Sequence, residues 1–130
     1  MSRKVKTTKR FVNFKMNDEV YKSRRKVINF IYELKNEGFK LPRIDVRIGK
    51  STRCNVLAKA KLKENIIWVT QKAIDTSEDT LRSIVFHELL HAIYGQEHIR
   101  NCPIMSASQY IPVDKTKAIE IFRKYYNKYN

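Results

Sequence analysis

Glycine and proline are scarce: three of each occur in 130 residues, which excludes collagen-like and linker-dominated chains. No apolar run approaches the roughly 18–20 residues of a membrane span. The basic start, MSRKVKTTKRFVNF, has no apolar stretch or small-residue cleavage site behind it, so no signal peptide is expected. Only two cysteines are present, Cys54 and Cys102, and without an export signal they are expected as free thiols in a reducing, cytoplasmic setting. Histidine is equally rare, with three in the whole chain.

Basic charge, by contrast, is abundant. Lys and Arg total 27 against 13 acidic residues, a net +14, of which residues 1–26 carry +8. Such a field favours nucleic acid, anionic surfaces or acidic proteins as partners, and it also serves solubility. Hydrophobic residues at 42% suffice for one modest core, so a single domain over 1–130 is expected.

Residues 1–10 read as a basic flexible arm. RFVNFK, Arg10 to Lys15, alternates loosely as an edge strand would. From Asn17 to about Asn36, Val20, Tyr21, Val27, Ile28, Phe30, Ile31 and Leu34 recur at helical spacing, with Asn17 or Asp18 as cap and Gly38 near the end. Ile44 to Ile48 alternates as a strand, and Gly49-Lys50-Ser51 reads as a turn. Val56 to Leu62, a turn at Lys63-Glu64-Asn65, and Ile66 to Val69 form a hairpin whose lysine-bearing first arm suits an exposed edge. Thr76 or Ser77 opens a second helix that runs through His91 and stops near Gly95. An irregular segment follows, and Pro112 opens a last helix with Ile119, Ile121, Phe122 and Tyr125 on its apolar side. The order predicts an α+β domain with a small sheet packed by helices.

All three histidines fall between positions 87 and 98. His87-Glu88-Leu89-Leu90-His91 places two imidazoles four residues apart on a helix, one above the other, where both can meet one zinc ion. Glu88 can reach a zinc-bound water, whose pKa the metal lowers to about 7. On this helix Val85, Leu89 and Ala92 share one side while His87, His91 and Tyr94 project nearly opposite, so a ligand face separate from the packing face is expected. Gly95 can reverse the chain and bring His98 to the same ion.

HELLHAIYGQEH followed by IRNCPIMSAS resembles the metzincin clan of zinc metallopeptidases, whose motif is H-E-x-x-H-x-x-G-x-x-H with a methionine turn after it. The similarity covers about residues 44–106, and its specific part is His87 to Met105. The resemblance implies a mixed sheet of three to four strands, a backing helix and an active-site helix over 11–95, and a small C-terminal helical subdomain over 96–130. It implies one zinc on His87, His91 and His98, Glu88 as general base, and Met105 beneath the metal. Tyr110 stands where some relatives stabilise the oxyanion, and an ordinary half-buried tyrosine is the alternative there. The substrate would be a protein or peptide lying as an added strand on the hairpin edge, cut by a monomeric endopeptidase. One departure matters. His91 to Gly95 is one residue longer than in the family, which leaves Glu97 and Cys102 open as substitute ligands.

Two other classes fit parts of the pattern. The bacterial ribosomal-RNA maturation endonucleases hold zinc with a similar three-histidine spacing, and the basic charge would suit a nucleic-acid-directed hydrolase or a protease of DNA-bound proteins. A binding module with a closed, structural zinc would need Glu97 or Cys102 as a fourth ligand.

Overall fold

The computed structural model describes residues 11–52, 56–100, 102–105 and 112–130. The basic arm over 1–10, Cys54 and Tyr110 lie outside the described residues. The chain forms β1 (Phe11–Asn13), α1 (Asp18–Asn36), β2 (Asp45–Ser51), β3 (Ala58–Ala60) and β4 (Ile66–Thr70). Then follow α2 (Gln71–Ile74), α3 (Glu78–Leu89), a π-helical turn (Leu90–Tyr94) and α4 (Lys115–Tyr129). This is a mixed α+β fold, as its element order predicts.

Local chemistry sets the boundaries. Asn17 caps α1 by accepting the Val20 N–H at 2.9 Å, and Ser77 caps α3 through the Thr80 N–H at 3.2 Å. Asp18 and Glu19, like Glu78 and Asp79, place negative charge at the positive ends of these helices. Gly38, at φ +96°, ends the chain's run through α1. The last helix starts at Lys115 under the cap of Asp114, three residues beyond Pro112.

The sheet order is β1-β2-β4-β3. β2 and β4 pair in parallel, with Val46 opposite Ile67 and Ile48 opposite Val69, while both outer strands are antiparallel to their neighbours. β3 is therefore an edge strand, as Lys59 and the adjoining Lys61 suggest. Gly49 to Ser51 belongs to β2 and is no turn. Gly49 pairs with Asn13, and a Cβ there would sit 1.9 Å from the Val12 carbonyl oxygen, so the strand needs a residue without a side chain. The short α2 has no counterpart in the sequence reading.

Val27, Leu34, Ile67, Val69, Leu81, Phe86 and Phe122 lie at the centre of the core. Phe122 of α4 meets Phe39 and Phe86 edge-on at 5.2 and 5.5 Å. Every residue from Leu81 to Ala92 is buried, so α3 has no solvent face in this stretch. The expected division of its surface fails for that reason. The histidine side is as buried as the Val85 side, because β3 and the segment through Met105 close over it.

Buried Arg82 fastens this helix to α1. Its guanidinium donates to Glu33 through Nε at 2.9 Å and Nη2 at 3.2 Å, and it also reaches Glu78 and Asp79. It stacks over Phe30 with Cζ 5.1 Å from the ring centre. A charge buried in this way must be fully paired, and it is.

Candidate metal centre

His87 and His91 stand one turn apart, His87 in α3 and His91 in the π-helical turn that continues it. The Nε2 atom of His91 lies 3.0 Å from that of His87 and 3.1 Å from that of His98. His87, His91 and His98 are close enough together to hold one metal ion, and they form the group of that kind found among the described residues.

The outer nitrogens explain why the inner ones converge. His87 Nδ1 meets the Ile104 carbonyl and His91 Nδ1 meets the Gln96 carbonyl. A carbonyl only accepts, so each Nδ1 carries the proton and each Nε2 is left with a lone pair. Burial keeps the rings neutral. It pushes His87 down to about 4, opposed by the Ile104 carbonyl and aided by His91 and His98. It lowers His91 as well, against the Gln96 carbonyl. Two unprotonated nitrogens 3.0 Å apart have no hydrogen between them and repel, unless a cation lies where their lone pairs meet. Tetrahedral zinc with its usual bond lengths sets such nitrogens about 3.3 Å apart, close to the spacing seen. The donor set fits a divalent cation that prefers imidazole.

The longer His91–Gly95 spacing is absorbed by the π-helical turn. Gly95 takes the left-handed conformation at φ +68°, its N–H bonding the His91 carbonyl at 3.0 Å. The Gln96 N–H reaches back to the Leu90 carbonyl at 3.1 Å, one residue further than in an ordinary left-handed cap. A π-turn holds one residue more than an α-turn. The chain therefore leaves the helix in the direction that carries His98 to the other two histidines.

Glu88 is buried at 3% exposure, with Oε2 4.0 Å from His87 Nε2. Its carboxylate thus lies beside the point on which the imidazoles converge. Met105 is fully buried, and the neighbouring Ile104 supplies the carbonyl for His87. Cys102 is directed elsewhere, its Sγ accepting from Tyr125 Oη at 3.3 Å and from the Met105 N–H at 3.4 Å. Glu97 is exposed and lines a cleft of about 390 Å³ with Ala60, Leu62, His91 and His98. The edge strand thus borders the histidine cluster directly.

Gln96 is absent from the sequence reading, although it is 3% exposed and pivotal. Its carbonyl holds His91, its Nε2 donates to the Glu97 carbonyl at 2.9 Å, and its Oε1 accepts from Tyr129 at 2.7 Å and Lys128 at 3.2 Å. The only signal in the sequence is its place just after Gly95, the position whose N–H closes a left-handed cap.

No protein-family model matches the chain, and neither a curated protein nor a solved structure is significantly similar to it. No helix among the described residues is long and apolar enough to cross a membrane.

Proposed function

We propose that the chain is a metzincin-like, zinc-dependent endopeptidase that works as a cytoplasmic monomer. The observation that carries this is the meeting of three imidazole Nε2 atoms, two of them fixed as lone-pair donors by backbone carbonyls, beside a buried glutamate. His87, His91 and His98 would hold the ion. Zinc bound there supplies a Lewis acid for a peptide carbonyl and a water acidic enough to give hydroxide near neutral pH. Glu88 takes a proton from the attacking water on its carboxylate and returns it to the departing amine. Three protein ligands leave the fourth position open, which favours catalysis over a closed structural site. The substrate backbone pairs with β3, the edge strand bordering the cleft, and its side chains alternate into and out of it.

The test is elemental analysis of the wild type together with peptide cleavage by Glu88→Gln. One zinc per chain in both proteins, with cleavage reduced about 100- to 10,000-fold in the variant, supports the proposal. A wild type that takes up no zinc, or a variant as active as the wild type, defeats it.

The +14 charge favours a second reading, hydrolysis of nucleic acid or of proteins bound to it. Wild-type cleavage of RNA that is lost in Glu88→Gln, with no cleavage of peptides, would favour this reading over the first.

A further inference from the structure

Resting on the metal reading above, we infer that Gln96 and Tyr129 are positioning residues for the metal site, acting through the carbonyl that orients His91. Three observations converge on this pair. Among the described residues, the Gln96 main-chain oxygen is the partner of the His91 Nδ1. That oxygen belongs to a residue just outside the helix, where the backbone has left the regular ladder and must be fixed by other means. The side chain fixes it. Gln96 is buried, and its amide bridges the Glu97 carbonyl on one side and the end of α4 on the other.

Tyr129 secures the same turn twice. Its hydroxyl donates to Gln96 Oε1 at 2.7 Å, and its ring stacks on Tyr94 of the π-turn with centres 5.0 Å apart and planes 4° from parallel. One side chain thus grips both the residue before Gly95 and the residue after it. Gly95 is where the chain bends toward His98, so a loose clamp would free the bend and the orienting carbonyl together. Groups that orient a metal's histidine ligands are typically worth 10- to 100-fold in affinity. The α4 helix, remote in sequence from all three ligands, contributes to the site by this route.

The test compares wild type with Gln96→Ala, Tyr129→Phe and the double variant. Gln96→Ala keeps the carbonyl that binds His91 but releases it from α4. Tyr129→Phe keeps the stack on Tyr94 and loses only the hydroxyl. Zinc affinity is measured by chelator competition at a temperature where circular dichroism shows each protein folded, and cobalt(II) spectra report the ligand field. The expected result is about 10- to 100-fold weaker zinc binding for Gln96→Ala, a smaller loss for Tyr129→Phe, and an altered cobalt spectrum in both. The double variant should lose little beyond Gln96→Ala, because the hydrogen bond lost in Tyr129→Phe is already lost in Gln96→Ala. A lower melting temperature with unchanged zinc affinity would make the pair merely structural and overturn the inference. If the wild type itself binds no zinc, the metal reading fails and this inference with it.

Discussion

Lys63 donates its backbone N–H to the carbonyl of His91 at 3.1 Å, and two residues on Asn65 does the same for Ala92 at 3.2 Å. The turn between β3 and β4 is therefore hydrogen-bonded to the π-turn that carries a histidine of the cluster. Lys63 and Asn65 adopt positive φ, 63° and 55°, to aim those N–H groups. These two main-chain hydrogen bonds tie the turn beside the edge strand to the cluster.

The π-turn acts as a one-residue insertion, so deleting Ile93 should close it into an α-turn and leave Gly95 and His98 in place. The deletion variant is expected to retain one zinc per chain by elemental analysis. Loss of zinc from a folded deletion variant would show that the wide turn itself is required.

His87 and His91 give the metal-free protein a defined pH dependence. Burial holds His87 at about 4 against an ordinary 6.5, so between these values the unfolded chain binds more protons than the folded one. Stability is therefore greatest above pH 6.5 and falls as pH drops toward 4, by about 3 kcal/mol for His87, with His91 acting in the same direction. Urea unfolding of chelator-treated protein at pH 7.5, 6 and 4.5 measures it. A flat profile would contradict the neutral state assigned to these rings.

Arg82→Ala should destabilise the fold by about 3 kcal/mol, since Glu33 loses its bidentate partner in a largely buried place. Arg82→Met combined with Glu33→Gln should recover much of the loss, because the carboxylates still charged, Glu78 and Asp79, are solvent-exposed. Chemical denaturation of the three proteins decides. Equal losses in the single and double variants would contradict the view that an unpaired Glu33 carboxylate is what costs stability.

Ser83 Oγ is the buried side-chain polar atom without a hydrogen-bond partner among the described residues. Ser83→Ala removes that desolvation cost and should raise stability by about 1 kcal/mol. A fall in the urea midpoint would mean that the hydroxyl is bonded after all.

How far these features could be read in advance depended on their range along the chain. The caps at Asn17 and Ser77, the reversal at Gly95 and the two histidines four apart are local, since each follows from residues within a turn or two of one another. The edge position of β3 was legible from Lys59 and the adjoining Lys61. Gly49 was misleading, because a residue that commonly marks turns is used here to let Val12 approach. The parallel pairing of β2 with β4 and the burial of both faces of α3 are set by contacts between distant segments, which no periodicity encodes. Gln96 was missed for the same reason, as its partners lie 32 and 33 positions away on α4.

The complete burial of Leu81 to Ala92 joins two properties that many proteins keep apart. A helix at the surface could change its metal-binding residues while the interior stayed intact. Here two of the three histidines placed to hold an ion are themselves interior residues, so any drift in their spacing has to be tolerated by the packing around Phe86 and Leu89. The conformational entropy of bringing His87 and His91 together is lost when the domain folds, and little is left to lose when an ion arrives. Substitutions that loosen the interior should therefore register as weaker metal capture before they register as unfolding.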